Sequence, residues 1–345
     1  MTEMRIAVLG AGAIGGSIAA FLARAGVEVT VIDIWPENVE AIRNAGIRVT
    51  TLEDEFVARP AAALHLADVS IAGGLFDIVF LALKSYDTEW ACHFIRPHLA
   101  PGGYIVSAQN SINDETIAAV VGWTRVVGAV VTFGAGMYEP GHVTFTSPRE
   151  RKPFTVGEPS GLVTPRACEV VRILDNVSGG NVSTTTNLWG ERWSKLCVNS
   201  MANAVAGATG LLSAELREVE ASRRVSIRIA AEVVTVGTAH GVSIEPITGV
   251  RAELYPLALT DGAAMEEVEG VLLSGAREVG VGRPSLAQDL MKGRRIEVDH
   301  LNGYVSRKGA EVGIATPVND AIRSLANRVE SGALKPSVEN LTEIP

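Results

Sequence analysis

The stretch Met4-Arg5-Ile6-Ala7-Val8-Leu9-Gly10-Ala11-Gly12-Ala13-Ile14-Gly15-Gly16 decides how the rest of the chain is read. Its first half is an apolar run of the length of a buried strand. Its second half is a glycine turn that leads into an Ala/Leu-rich helix ending near Ala25. Glu28–Asp33 then reads as a second strand, so the G-x-G-x-x-G spacing of Gly10, Gly12 and Gly15 lies inside a strand–helix–strand unit. That context is what gives the spacing meaning. Gly10 permits the tight turn, Gly12 lets the backbone approach a pyrophosphate, and Gly15 lets helix and strand pack closely. Ala11, Ala13 and Ile14 complete the loop, whose helix N-terminus offers N–H groups and a positive dipole to phosphates. The competing reading is a glycine-rich turn that only joins strand to helix.

Outward from this unit, the first half of the chain alternates apolar runs with helical stretches. Helices are expected at Pro36–Ala45 and Thr88–Pro97, and buried strands at Asp77–Leu83, Gly103–Ser107 and Arg125–Phe133. Continuous apolar strands alternating with helices imply a parallel sheet covered on both faces. From Thr144 to Thr186 the pattern becomes short strands around one helix, Pro165–Asp175. Beyond Asn187 it is helical, at Asn187–Gly207, Ser213–His240, Thr260–Glu269 and Leu301–Val312. The expected fold is α/β: an N-terminal Rossmann-type doubly wound sheet over 1–186, followed by an all-helical substrate domain over 187–334. A loosely packed tail is expected over 335–345.

The 345 residues suit about two domains. Hydrophobic residues make up 47% and charged residues 20%, which excludes a disordered chain. A net charge of −9 argues against nucleic acid and anionic membranes as partners. Ile6–Ala23 carries no charge and has the length of an export signal core, but its glycines and its continuation into Arg24 fit the strand–turn–helix better. Cys92, Cys168 and Cys197 form no C-x-x-C pair, so neither a disulfide framework nor a zinc site is expected, and a reducing cytoplasm fits.

Asp33 closes the second strand eighteen residues after Gly15, where a carboxylate accepts hydrogen bonds from the 2′- and 3′-hydroxyls of an adenosine ribose. Ile34, Trp35 and Pro36 bring no cation for a 2′-phosphate, so NAD(H) is favoured over NADP(H). Asp33 could instead cap the helix that begins at Pro36. In the second half, Lys195, Asn199 and Asn203 stand at i, i+4 and i+8, an amine and two carboxamides along one helix stripe. A solvated surface stripe would be the bland explanation. The apolar flanks argue against it, because Leu196–Ala214 carries no charge at all. Burying a lysine is costly unless it is paired or used.

The glycine motif, Leu83-Lys84-Ser85-Tyr86-Asp87-Thr88, Gln109-Asn110, the K-x-x-x-N-x-x-x-N helix, Ser285-Leu-Ala-Gln288-Asp289 and Glu297-Val-Asp299-His-Leu-Asn302-Gly303 occur in that order. Together they resemble the ketopantoate reductase (2-dehydropantoate 2-reductase) family over nearly the whole chain. The resemblance implies that Lys195 is the catalytic lysine that protonates the substrate carbonyl oxygen, and that Glu297 fixes that lysine and a substrate hydroxyl. It implies substrate binding by Asn199, Asn203 and Ser285. Asn110 would lie near the nicotinamide and the reacting carbon, Lys84 on the cofactor side, and the setting would be pantothenate biosynthesis in a possible homodimer. Independent chemistry agrees, since hydride addition to a carbonyl leaves an alkoxide that needs a cation and an acid.

Four departures put the substrate in question. Ser213 and Gly282 stand where the family carries asparagines, Asp33-Ile34 where many members carry an arginine, and Gly241–Gly282 is long. His65, His93, His98, His142 and His240 form no ligand pair, and no metal is expected. Cys197 turns away from the Lys195–Asn199 stripe. The reading is an NAD(P)H-dependent reductase of a small 2-oxo acid, with cofactor and substrate expected in the cleft between the domains. The rivals are a dehydrogenase of another hydroxy acid on the same fold and a dinucleotide sensor without turnover. A sensor would need neither Lys195 nor Glu297.

Overall fold

A computed structural model describes residues 4–72, 74–148, 150–177, 179–279 and 282–345. The chain divides into two units, Met1–Leu188 and Trp189–Pro345.

The first unit is built on β1 (Ile6–Leu9), β2 (Val29–Asp33), β3 (Ile47–Thr50), β4 (Glu55–Ala58), β5 (Ala62–His65) and β6 (Phe76–Leu81), followed by β7 (Leu99–Ser107) and β8 (Val126–Val131). It ends with β9 (Ala135–Glu139), β10 (His142–Phe145), β11 (Phe154–Gly157) and β12 (Ser183–Thr185). Eight strands form the main sheet in the order β12-β11-β8-β7-β6-β1-β2-β5, parallel except at β11–β8. The chain leaves β1 towards β2 and later returns to its other side at β6. That reversal of strand order is where open α/β sheets bind ligands.

The sequence pattern did not reveal a second sheet, of order β4-β3-β10-β9. Its strands are four or five residues long, too short for alternation to stand out. The helix Ala13–Arg24 touches strands of both sheets. Phe21 meets Phe56 and Phe145, each at a centroid distance of 5.3 Å. Gly15 through Leu22 are consequently all buried. Burial between protein layers accounts for the uncharged run Ile6–Ala23, and no helix among the described residues is long and apolar enough to cross a membrane.

The second unit opens with the helix Leu188–Thr209. The expected helix Ser213–His240 is two helices, Glu215–Glu218 and Glu220–Ala239, because Val219 is extended (φ −71°, ψ 115°). The long segment after Gly241 holds Leu254–Leu257 and Gly262–Ser274, and Ser285–Met291, Asn302–Glu311 and Pro317–Glu330 follow. The tail differs from the loose segment expected. The Ser337 amide and Asn340 Nδ2 donate to the Ala208 carbonyl at 3.1 and 2.9 Å, and Asn340 and Leu341 are buried. Ala208 lies in the last turn of its helix, where carbonyls have no intrahelical donor, and the tail supplies one.

Candidate active site

The loop after β1 is shaped by three glycines with three different demands. Gly10 has φ +96°, and a Cβ there would meet the Leu83 side chain at 2.8 Å. At Gly15 a Cβ would stand 1.8 Å from the Gly10 carbonyl oxygen, so the helix lies against the loop with no room for a methyl. Gly12 is the opposite case. A Cβ there meets nothing within 4 Å, and Gly12 is the N-cap of Ala13–Arg24 with no side chain capping it. The first-turn amides, beginning at Ala13 and Ile14, have no acceptor inside the helix. An open cradle with helix N–H groups around it fits the phosphates of a dinucleotide.

Asp33 is 7% exposed. Its Oδ2 accepts from the Ala11 amide (2.8 Å) and Asn38 Nδ2 (3.1 Å), and its Oδ1 accepts from the Trp35 amide (3.0 Å). The helix Pro36–Ala45 has Trp35 at its N-cap with no side-chain cap, so Asp33 is tied to the glycine loop and is not the cap of that helix. An ionised carboxylate has about four acceptor sites, and three are taken within the protein. The bidentate ribose grip expected from sequence is therefore reduced to one remaining position on Oδ1. Arg43, the first basic residue after Asp33, donates to the Ala63 carbonyl (2.7 Å) and pairs with Asp68 (2.5 Å). Ile34 is 54% exposed.

The loops after β6 and β7 are joined side by side. Gln109 Nε2 donates to the Leu83 carbonyl and to Thr88 Oγ1, both at 2.9 Å. The Asn110 carbonyl accepts from Asn113 Nδ2 (2.8 Å) and Ser85 Oγ (3.3 Å). This brings half-buried Lys84, one residue before Ser85, to the same end of the sheet as Asn110. Ser111 follows Asn110 with φ +68° and is buried. A non-glycine residue held in that region costs on the order of 1–3 kcal/mol and marks a backbone constrained by its surroundings. Neither Ser111 nor Asn38 was singled out from sequence, since backbone strain and a buried amide leave no pattern in composition.

In the helical unit, Asn199 (6% exposed) and Asn203 (4%) are buried on Leu188–Thr209 and Lys195 is half-buried. A solvated stripe is excluded. Asn203 Oδ1 accepts from Ser285 Oγ (3.1 Å) and the Leu286 amide (3.2 Å), so Asn203 and Ser285 are brought together. Glu297 is buried and opens the turn Val298–His300, and the helix that follows, Asn302–Glu311, is tied to Leu188–Thr209, since Asn302 Nδ2 donates to the Ser200 carbonyl at 3.4 Å. Burial holds the His300 imidazole below its usual range, with Arg307 adding to this and Glu297 and Asp299 opposing it. Cys197 is buried against Met201 (3.8 Å), and burial pushes its thiol up. The departures Ser213 and Gly282 are neighbours, the Ser213 amide donating to the Gly282 carbonyl at 2.9 Å, and a Cβ at Gly282 would meet nothing within 4 Å. Among the described residues no group of three or more His, Cys, Asp or Glu could hold a metal ion.

A doubly wound sheet with an open glycine cradle, carried in one chain with a helix stripe of a half-buried amine and two buried carboxamides, is the make-up of a dinucleotide-dependent oxidoreductase. Comparison narrows the class. The family described as ketopantoate reductase PanE/ApbA matches residues 6–161, and its C-terminal counterpart matches 187–330. A 2-dehydropantoate 2-reductase of Pyrobaculum aerophilum is 30% identical, covering 94% of this chain and 97% of its own. The crystal structure of a PanE/ApbA family ketopantoate reductase from Ralstonia eutropha JMP134 is 29% identical, covers 95% of this chain and 99% of its own, and superposes with a TM-score of 0.78. The fold is also that of a D-mandelate dehydrogenase solved with NADH and anilino(oxo)acetate (24% identity, TM-score 0.79, covering 95% and 99%). The chain belongs to the ketopantoate reductase family, and it is a pyridine-nucleotide-dependent oxidoreductase acting at a C=O/CH–OH carbon.

Proposed function

We propose that this protein reduces a small 2-oxo acid to the 2-hydroxy acid with NADH in preference to NADPH, ketopantoate being the first substrate to try. The observation that carries the reading is the glycine loop, open at Gly12 and closed at Gly10 and Gly15. Gly10, Ala11, Gly12, Ala13, Ile14, Gly15, Asp33, Lys84 and Asn110 would hold the dinucleotide, which supplies a hydride when bound. Lys195 is the proton donor: as the carbonyl carbon gains a hydride, its oxygen takes the lysine proton and stays on that carbon as the hydroxyl of the product. Glu297 orients the lysine and a substrate hydroxyl. Asn199, Asn203 and Ser285 bind the substrate, Asn203 through the amide that its contacts with Ser285 and Leu286 leave available.

Preference for NADH rests on Asp33. A 2′-phosphate beside this carboxylate costs on the order of several kcal/mol in like-charge contact. A ribose hydroxyl gains one charged hydrogen bond, worth about 1.5–3 kcal/mol. Oxidation of NADH and NADPH against a panel of 2-oxo acids, ketopantoate included, tests both parts. Turnover with none of them would leave the sensor reading. The adjoining Ser213 and Gly282 favour a second substrate reading, a 2-oxo acid bulkier than ketopantoate, which the same panel separates. The domains are read as 1–186 and 187–334, and the setting as a cytoplasmic pantothenate-pathway enzyme, possible as a homodimer.

A further inference from the structure

We propose that Asn38 is the positioning residue of the cofactor loop, and that the β9–β10 hairpin belongs to the cofactor-binding machinery through it. The inference rests on the cofactor reading above. Asn38 lies in the helix Pro36–Ala45 and is fully buried, on a face it shares with Val39 and Ile42. An apolar residue would pack there without hydrogen bonds, whereas a buried carboxamide must satisfy every polar atom. Asn38 does so at three points. Its Nδ2 donates to the Ala11 carbonyl and to Asp33 Oδ2, both at 3.1 Å, and its Oδ1 accepts from the Gly141 amide at 2.8 Å.

Ala11 is thereby held from both ends. Its amide is fixed by Asp33 and its carbonyl by Asn38, which sets the backbone leading into Gly12. Gly141 forms the turn between β9 and β10 (φ +69°), and its carbonyl accepts from the Arg48 amide of β3 at 2.8 Å. The hairpin also meets the helix start independently, since a Cβ at Gly16 would lie 2.9 Å from Val143 and 3.3 Å from Met137. The second sheet therefore supports the glycine loop twice, through the Asn38 amide and through the Gly16 contact.

The test is binding of NAD+ to the full chain by calorimetry at pH 8 and pH 6, with Asn38→Asp as the variant. Aspartate has the size of asparagine and accepts from Gly141, but ionised it cannot donate to Ala11 and it repels Asp33. At pH 8 the variant's Kd should rise at least tenfold over wild type. At pH 6 the ratio should shrink, because two adjacent carboxyls share a proton and regain a donor. Hydrogen exchange should speed up in a peptide spanning residues 9–16 while β6 and β7 keep their protection. If the aspartate variant does not fold, Asn38→Ala is read in its place, with a raised Kd, faster exchange in that peptide and no pH dependence of the ratio. Wild-type binding of NAD+ with an unchanged Kd in the folded variant overturns the proposal alone. A wild-type chain that binds neither NAD+ nor NADP+ overturns the cofactor reading, and this proposal with it.

Discussion

The Asn203 side-chain oxygen accepts from Ser285 Oγ at 3.1 Å and from the neighbouring Leu286 amide at 3.2 Å. The helix Ser285–Met291 has no capping side chain of its own, so Asn203 acts as its cap from another helix. With the proposed role in substrate binding, one carboxamide would have two duties, acceptor for the fold and donor for the substrate. Asn203→Ala should lose about 2 kcal/mol of stability, from two hydrogen bonds at roughly 1 kcal/mol each, and should raise KM as well. Asn203→Asp keeps the acceptor and should raise KM with a smaller loss of stability. Urea unfolding beside substrate KM distinguishes the two duties.

Gly12 and Gly15 should respond oppositely to the same substitution. Gly12→Ala meets open space at φ −69°, so the folded chain should keep its melting temperature while its affinity for NADH falls by at least tenfold. Gly15→Ala would push a methyl into the Gly10 carbonyl and should lower the melting temperature itself. Thermal melts and NADH titration of both variants check this, and an unaltered NADH affinity in Gly12→Ala would remove the pyrophosphate from that loop.

Lys195→Ala should reduce kcat by about 10²–10⁴, the range of general acid catalysis, with NADH affinity little changed. Steady-state kinetics with a parallel NADH titration measure this. A variant within threefold of wild type would take Lys195 out of the mechanism.

For the wild type, kcat/KM with NADH should exceed that with NADPH at least tenfold, a difference of about 1.4 kcal/mol. Ile34→Arg should narrow that ratio, because Ile34 is 54% exposed and an arginine there leaves the Asp33 contacts in place. Adding Asp33→Ser should weaken both cofactors, since the Ala11 amide then loses its acceptor. Kinetics with both nucleotides across the three proteins decide it, and an NADPH preference in the wild type would refute the Asp33 argument.

His300 predicts a pH dependence of stability. Burial favours its neutral form in the folded state, so its pKa there lies below the ordinary 6.5. As pH falls through 6.5 the unfolded chain takes up the proton first, and stability is lost from there down to the folded-state pKa. Above 6.5 the contribution is fully present. His300→Asn should therefore show a smaller drop in urea midpoint between pH 7.5 and pH 5.5 than the wild type does.

Many of the candidate residues in each unit could be read from spacing. Gly10, Gly12 and Gly15 follow a buried strand, and Lys195, Asn199 and Asn203 are spaced four residues apart, the two asparagines within the uncharged run Leu196–Ala214. Both patterns are local, and local periodicity survives in one dimension. The short strands of the second sheet were not legible. Their pairing joins β3 to β10 across almost a hundred residues, and contacts at that separation leave no periodic trace.

By itself, then, the sequence determined the fold class, the glycine loop and the stripe of amine and carboxamides, because backbone sterics and helix geometry act over a few residues. Only the tertiary structure decided what the polar groups are committed to. Asp33 ends β2 as expected, yet three of its acceptor positions go to Ala11, Asn38 and Trp35. Asn38, on the helix Pro36–Ala45, is committed to the Ala11 carbonyl and the Gly141 amide. The tail after Leu334 is ordered because the Ala208 carbonyl, at a helix end, lacks a donor that Ser337 and Asn340 provide. Each case has the same cause: a buried polar group must be paired, and its partner is chosen by proximity in the folded chain, which spacing along the sequence does not encode.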